Sequence, residues 1–156
     1  IDTGGTFTDL IAYDAEQQIY KIKILSKGSL RGKLLSQINK RTFLIEENWG
    51  LKKDILKGFR FSWLHEPETI FNVERFDVQK KYLTLNRDVF LNGDVKEFVF
   101  EIKTGEEAPV LAARIITQTG LEDDFPPMHL RLGTTRGTNA LLESKGAKSA
   151  LFITKG

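Results

Sequence analysis

The first nine residues of the chain, Ile1–Asp9, concentrate groups that bind anions and hard cations. Their sequence, IDTGGTFTD, contains two adjacent glycines, three threonines and two aspartates. Gly4 and Gly5 lack a Cβ and tolerate positive φ, so backbone N–H groups around them can approach an anion closely. The threonine hydroxyls add donors around the same turn. We therefore predict a phosphate-binding turn, whose hydroxyl donors are Thr3, Thr6 and Thr8.

The two carboxylates of this first segment suggest a cation and a catalytic group. Asp2, at the end of a strand, could hold a hydrated Mg²⁺ beside the phosphates, because this cation prefers oxygen ligands and keeps several waters. Asp9 could orient water or substrate, or could simply end the loop. The simpler alternative for the whole segment is a structural hairpin, since Gly-Gly is a common hairpin turn. A structural turn, however, has no need for so many threonines and aspartates.

A second segment, Gly133–Glu143, has the sequence GTTRGTNALLE and combines hydroxyl and amide groups with the start of a helix. Thr138 or Asn139 is predicted to cap that helix. Helix N-termini attract anions, so Thr134 and Thr135, which lie just upstream, could meet a carboxylate or phosphate. An ordinary strand, loop and well-capped helix is the alternative interpretation.

Composition excludes several other kinds of site. The chain has no cysteine and two histidines, which excludes disulfides and thiol nucleophiles and argues against a zinc site of several histidines. His129 and His65 are more typical of structural positions than of catalytic bases. The balance of 23 basic and 21 acidic residues argues against nucleic acid or an anionic membrane as a partner. No apolar run approaches the ~20 residues of a membrane span, and we expect a cytoplasmic location.

The elements that would position the first segment begin with two strands. Thr6–Tyr13 is apolar and β-branched, and Ile19–Leu25 alternates apolar and polar side chains, so together they predict a hairpin. A helix is predicted from about Leu30, with its leucines on one face. It could extend as far as Trp49, because Gly50 is a reasonable stop.

The middle of the chain has a different pattern, and we predict an antiparallel β insert there. Asn92-Gly93 is a strong hairpin turn signal. The β-like runs of this region are Gly58–Leu64, Phe71–Phe76, Lys81–Leu85 and Val95–Lys103.

The last third of the chain alternates helices and strands. Pro109 suits the start of a helix, and the predicted helix Ala108–Thr119 would end at Gly120. The remaining predicted elements are a strand at Leu130–Leu132, a helix at Asn139–Lys145 and a strand at Ser149–Thr154.

The predicted order of elements indicates a mixed α/β fold. We divide the chain into residues 1–50, with the phosphate turn, hairpin and helix; residues 51–103, the β-rich insert; and residues 104–156, the continuation of the α/β domain. The chain begins at Ile1, directly before a motif that should follow a strand, and ends just after a predicted strand. We therefore expect it to be a piece of a longer protein.

Taken together, the two segments resemble one known family. Ile1–Asp9 resembles the opening of the hydantoinase A and 5-oxoprolinase family, which commonly has the sequence DTGGTFTD. Gly133–Gly156 (GTTRGTNALLESKGAKSALFITKG) is similar to that family's second block, usually GTTxxTNALLExKGA followed by an apolar strand and TKG. Their order and separation also match if an insert is allowed. The middle does not resemble the family, and Ser26–Arg31 replaces its Thr-Pro-rich stretch.

The resemblance implies a ribonuclease H-like, actin-like ATPase fold with a mixed sheet and helices, in which the first segment is the first phosphate loop. The second phosphate loop and the adenosine pocket would lie beyond the chain, in the remainder of the same protein or in a partner subunit. The implied cofactors are ATP and Mg²⁺, and the implied reaction is ATP-dependent opening of a cyclic amide. The implied roles are cofactor binding for Thr3, Gly4, Gly5, Thr6 and Thr8, metal binding for Asp2, catalysis for Asp9, and lining of the active site for Thr134, Thr135 and Asn139.

Two other functions remain open from the sequence. A small-molecule kinase of the same fold could use the same phosphate loop, although the TNALLE sequence argues against it. A nucleotide-binding module without turnover is the alternative outside the enzymes.

Overall fold

The computed structural model describes residues 1–91, 98–144 and 152–154. The described chain is mixed α/β, with one large, mostly antiparallel sheet and few helices. None of its helices is long and apolar enough to cross a membrane within these ranges. The elements are β1 (Asp2–Thr3), β2 (Phe7–Tyr13), β3 (Ile19–Leu25), β4 (Ser29–Gln37), β5 (Thr42–Glu46), β6 (Arg60–Trp63), β7 (Ile70–Asp77), β8 (Tyr82–Leu85), β9 (Val99–Lys103), α1 (Ala108–Thr117), β10 (Gly133–Thr134) and α2 (Arg136–Leu142).

Six of the strands form a closed sheet. They follow the order β4-β5-β8-β7-β6-β9, and β9 pairs again with β4, always antiparallel. Strand β4 closes the ring because residues 29–33 pair with β9 and residues 33–37 pair with β5. Every strand of the closed sheet therefore has a neighbour on both sides, which leaves no free edge.

Aromatic side chains fill the closed sheet. The rings of Phe61 and Phe100 stack with centroids 4.9 Å apart, and Trp63 meets Phe61 edge-on at 4.7 Å. Gly32 lies directly opposite Phe100 on the neighbouring strand, and a Cβ there would come within 2.5 Å of the Phe100 ring. The glycine at position 32 is thus a packing residue that admits the ring into the core.

The predicted helix from Leu30 is wrong. Strands β4 and β5 occupy this region, joined by a turn in which the Asn39 carboxamide oxygen accepts hydrogen bonds from the backbone N–H groups of Arg41 and Thr42, both at 2.9 Å. Leu30 and Leu34 are four residues apart, a spacing that suits one helix face and equally one face of a strand. The antiparallel unit consequently begins at Ser29, well before the predicted insert.

Other predicted strands agree with the structure. The hairpin forms as predicted, since β2 pairs with β3 over seven residues. Three of the four β-like runs contain β6, β8 and β9, and the fourth, Phe71–Phe76, lies within β7. The predicted strand at Leu130–Leu132 is wrong, since these residues are not in a strand. The short strand β10 begins just after them, at Gly133. Residues 92–97 and 145–151 lie outside the described ranges. The predicted Asn92-Gly93 turn and the start of the last predicted strand therefore also lie outside them. Residues 152–154 are not in a strand.

Helix α1 packs against the β2–β3 hairpin through its buried face, which includes Leu111 and Ile115. Its predicted stop at Gly120 is wrong. The helix instead ends at Gln118, which adopts a left-handed φ of 57°. The Gln118 side chain supports this conformation, because it donates to the Ile115 carbonyl at 2.6 Å and accepts from the Lys52 backbone N–H at 2.7 Å.

Arg114 ties α1 to the loop before it. Its buried guanidinium donates hydrogen bonds to both carboxylate oxygens of Glu106, each at 2.8 Å, and a third to the Gly120 carbonyl. The hydrogen bonds from Arg114 hold the pKa of Glu106 below its ordinary value of 4.5 and outweigh the opposing effect of burial. The ionised pair therefore stabilises the junction between β9 and α1.

This ion pair predicts a specific dependence of stability on pH. Because the Glu106 pKa is lower in the folded chain than in the unfolded one, its contribution is complete above pH 4.5 and is lost as pH falls through the folded pKa. We expect the unfolding free energy of wild type to exceed that of Glu106→Gln near pH 7, and the difference to shrink toward about pH 3. Urea unfolding of both proteins across this range measures it. A difference that stays constant with pH would contradict the assignment.

Candidate functional site

The two segments singled out in the sequence lie side by side. Strand β1 pairs antiparallel with β2 and parallel with β10, which places Asp2 opposite Gly133 and Thr3 opposite Thr134. The Gly133 N–H donates to the Ile1 carbonyl at 2.8 Å, and the Thr135 N–H donates to the Thr3 carbonyl at 3.2 Å. Residues about 130 positions apart thus form one continuous surface.

The glycine turn, Gly4–Phe7, joins β1 to β2. The Gly4 N–H donates to the Phe7 carbonyl at 3.0 Å, which closes the turn around Gly5 and Thr6. Neither Gly4 nor Gly5 uses the positive φ that glycine tolerates. A Cβ on Gly4 would lie a tight 3.2 Å from the Phe7 carbonyl oxygen, so close backbone approach accounts for that glycine.

Gly5 has a different role in the turn. A Cβ at this position would lie 3.6 Å from the Asn139 side-chain nitrogen, an ordinary van der Waals distance. Neither backbone conformation nor packing therefore requires glycine at position 5. Because glycine has no side chain here, open space remains between the glycine turn and α2.

That space is a cleft of about 390 Å³. Its size lies within the range of small-ligand sites, and residues of both segments form its walls. A third stretch, the turn between β3 and β4, also contributes. The lining residues are Thr3, Gly4, Gly5, Ser26, Lys27, Asn139, Ala140 and Glu143.

The three threonines of the first segment have different surroundings. Thr6 is exposed at the glycine turn, whereas Thr8 is fully buried and does not line the cleft. The Thr8 hydroxyl lies 3.1 Å from the Ser26 hydroxyl, which donates to the Gly4 carbonyl at 2.8 Å. Thr8 therefore supports the turn from the interior.

Thr3 carries a buried hydroxyl that lacks a partner. The residue is 6% exposed and lines the cleft, and its Oγ1 has no hydrogen-bond partner among the described residues. Leaving a buried hydroxyl unsatisfied costs about 1–3 kcal/mol, so such groups are uncommon in stable folds. The Oγ1 atom itself is buried, so it could donate to a ligand oxygen in the cleft only after its side chain rotates.

Asp2 and Asp9 lie directly opposite each other on β1 and β2, on the sheet face away from Thr3 and Thr8. Both are exposed, and the Lys23 ammonium contacts the Asp9 carboxylate at 3.2 Å. Neither aspartate lines the cleft, and the described residues contain no cluster of three or more acidic or histidine groups suited to a metal. A hydrated Mg²⁺ needs only one or two carboxylates when phosphates supply the other oxygens, but the position of Asp2 on the face away from the cleft does not fit a Mg²⁺ bound beside phosphates there.

In the second segment, Asn139 lines the cleft, and its Nδ2 lies 3.5 Å from the Thr135 hydroxyl. Helix α2 begins earlier than predicted, so Thr138 and Asn139 lie inside it and the predicted caps are wrong. Thr135 is the N-cap residue but makes no side-chain cap, and its hydroxyl lies 3.5 Å from the Thr3 carbonyl. Thr134 and Thr135 are exposed beside the cleft and do not line it.

Sequence patterns missed two lining residues, Ser26 and Lys27. Both lie in a tight turn closed by a hydrogen bond of 2.9 Å from the Gly28 N–H to the Leu25 carbonyl. The Ser26 N–H also donates to the Thr6 carbonyl at 2.9 Å. The signal that could have found them is the hairpin register, because continuing it by one residue puts Ser26 beside the glycine turn.

Lys27 belongs to a cluster of charges around one buried carboxylate. Glu101 is 3% exposed, and its Oε1 lies 2.6 Å from the Lys27 ammonium and 2.8 Å from the Arg31 guanidinium. Lys103 approaches the other oxygen at 3.5 Å. Burial raises the pKa of Glu101, but hydrogen bonds from Lys27 and Arg31 outweigh it, and the net pKa is lowered. Glu101 is thus ionised at neutral pH beneath three cations.

The two histidines lie away from the cleft. His65 stacks beside Trp63 with ring centroids 6.2 Å apart. His129 lines a separate groove of about 1000 Å³ between β2, α1 and residues 126–131. Neither contributes to the site formed by the two segments.

Comparison of the chain with models of protein families, with curated proteins and with solved structures gave no match. The geometry of the cleft and the resemblance of the two segments that form it are therefore the grounds for assigning a function.

Proposed function

We propose that the cleft binds the terminal phosphates of ATP and that the chain supplies the first phosphate loop of an ATP-dependent cyclic-amide hydrolase. The observation that carries this proposal is that the two segments resembling that family, about 130 residues apart, line one polar cleft. The pairing of β1 with β10 brings the two segments together, and the cleft forms where they meet.

Two features of the cleft support an oxyanion as its ligand. The glycine at position 5 leaves space that neither φ nor packing demands. The unpartnered Thr3 hydroxyl lies behind the wall of the same space, where a rotation of the side chain would let it donate to a ligand. Phosphate oxygens accept hydrogen bonds from such hydroxyl groups and from backbone N–H groups.

The local topology supports the finer assignment to an actin-like ATPase fold. In that fold, the first phosphate loop connects two antiparallel strands, as the glycine turn connects β1 to β2. Strand β10 extends this sheet in parallel and leads directly into α2. The closed sheet of β4 to β9 then corresponds to an insert after the β2–β3 hairpin.

The reaction that the resemblance implies suits these groups. A lactam carbonyl is a poor electrophile, and transfer of the γ-phosphoryl group to its oxygen activates the ring carbon. Water adds to that carbon and the C–N bond breaks, which leaves an open-chain acyl phosphate with a free amine. A second water then hydrolyses the acyl phosphate, and ADP, inorganic phosphate and the open-chain product leave. Phosphoryl transfer depends chiefly on positioning and charge neutralisation. In this scheme the glycine turn would hold the phosphates, with Thr3 beside it. Asp2 and Asp9 lie on the opposite face of the sheet from this cleft, so the geometry does not support the metal-binding and catalytic roles that the resemblance implies for them.

Calorimetric titration of the protein with Mg²⁺-ATP, followed by ATPase assays with and without 5-oxoproline or a hydantoin, tests the proposal. We expect ATP binding and turnover that rises when the cyclic amide is added. Transfer of phosphate to a small-molecule hydroxyl would favour the kinase alternative. ATP binding without turnover would favour the nucleotide-binding module. Absence of ATP binding would contradict phosphate binding itself.

A further inference from the structure

Lys27 carries the one positive charge among the described residues that line the cleft. Glu143 lines the same cleft and carries a negative charge. A phosphate in this cleft needs a cation to offset its charge, and Lys27 is the one described lining residue that can supply it.

Lys27 is held in place by the Glu101 carboxylate, which also contacts two other cationic side chains. Arg31 lies directly opposite Glu101 on the neighbouring strand and contacts the same oxygen as Lys27 does, at 2.8 Å. Lys103 approaches the second oxygen at 3.5 Å. If Lys27 moved away, Glu101 would keep two cationic partners, so the cost of leaving a buried charge unpaired would not arise.

We propose that Lys27 binds phosphate oxygens in the cleft and that Glu101 is its positioning residue, an inference that rests on the proposed phosphate binding. The Lys27 ammonium contacts Glu101 at 2.6 Å beside the glycine turn. When a polyphosphate enters, the ammonium turns toward it, and Arg31 and Lys103 continue to neutralise Glu101. Ser26, next in the same turn, fixes the lysine backbone through its hydrogen bond to the Gly4 carbonyl.

The chain offers a matched control, because Lys103 contacts the same carboxylate but does not line the cleft. The probes are inorganic pyrophosphate and Mg²⁺-ATP, titrated by calorimetry into wild type, Lys27→Met and Lys103→Met at low and high salt. We expect Lys27→Met to weaken the binding of both probes roughly 10- to 100-fold, as loss of a charged hydrogen bond does. Lys103→Met should change it less than about 2-fold, and Lys27→Arg should retain most of the affinity.

The outcomes separate this inference from the proposal beneath it. If wild type binds the probes and Lys27→Met binds them equally well, the role of Lys27 is wrong while phosphate binding stands. Equal losses in Lys27→Met and Lys103→Met would mean long-range charge attraction rather than a ligand, which also overturns it. If wild type binds neither probe, both proposals fail. Thermal unfolding of each variant checks the fold, and Lys27→Arg decides the matter should Lys27→Met prove unstable.

Discussion

Gly5→Val is expected to weaken ATP binding roughly 10- to 100-fold while the chain keeps its fold. A Cβ at position 5 meets its nearest neighbour, the Asn139 side-chain nitrogen, at an ordinary 3.6 Å, and φ is not left-handed. The substitution therefore causes little strain in the unliganded protein. The branches of valine would occupy the cleft, and steric conflict of about 1–3 kcal/mol with a bound phosphate corresponds to this loss. Calorimetric titration with Mg²⁺-ATP measures it.

The control for Gly5→Val is the same substitution at Gly137, where a Cβ would have nothing within 4 Å. Gly137→Val should bind ATP as wild type does. Gly5→Ala should give an intermediate loss, because a single methyl narrows the cleft less than an isopropyl group. ATP binding by Gly5→Val equal to that of wild type would remove the cleft from the proposed phosphate site.

Local features of the structure could be predicted from the sequence. The alternation in Ile19–Leu25 and the β-branched Thr6–Tyr13 predicted a hairpin, and the structure has it with Phe7 opposite Leu25. Hairpin partners are close in sequence, so a short window contains both halves of the pattern. The helix start at Ala108 was likewise visible, because proline suits a first turn.

The closed sheet could not be predicted in the same way. Strand β4 is paired with β9, and Arg31 contacts Glu101 from 70 positions away. The leucine spacing near residue 30 satisfies helix and strand equally well, and only the distant partner decides between them. Long-range pairing thus overrode the local pattern that predicted a helix.

The same limit applies to the candidate site. Thr3, Gly4, Gly5 and Asn139 could be named from their types and from a resemblance. Lys27 could not, because its importance depends on two contacts, one with the cleft and one with a buried glutamate on β9. In the sequence VKEFVFEIK, Glu101 has the position of a solvent-facing residue in an alternating strand, and nothing local indicates the cations above it.

Gly28→Ala is expected to destabilise the chain by about 2–5 kcal/mol, and it links the fold to the site. Gly28 has a left-handed φ of +73°, and a Cβ there would lie 2.6 Å from the Glu106 backbone carbonyl oxygen. An L-residue in this conformation costs about 1–2 kcal/mol. Forcing the carbonyl away adds about 1–3 kcal/mol of overpacking, because backbone cannot move as a flexible side chain would. Urea unfolding measures the total.

Gly50→Ala separates these two contributions, because Gly50 has nearly the same φ, +71°, but a Cβ there would meet nothing within 4 Å. It should cost only the conformational part, about 1–2 kcal/mol. Equal losses in the two variants would mean that contact with the Glu106 carbonyl does not hold the turn. If the contact matters, Gly28→Ala should also weaken ATP binding where the protein remains folded. Displacing the turn at Gly28 would move Ser26 and Lys27 away from the glycine turn. Gly50→Ala should leave ATP binding unchanged.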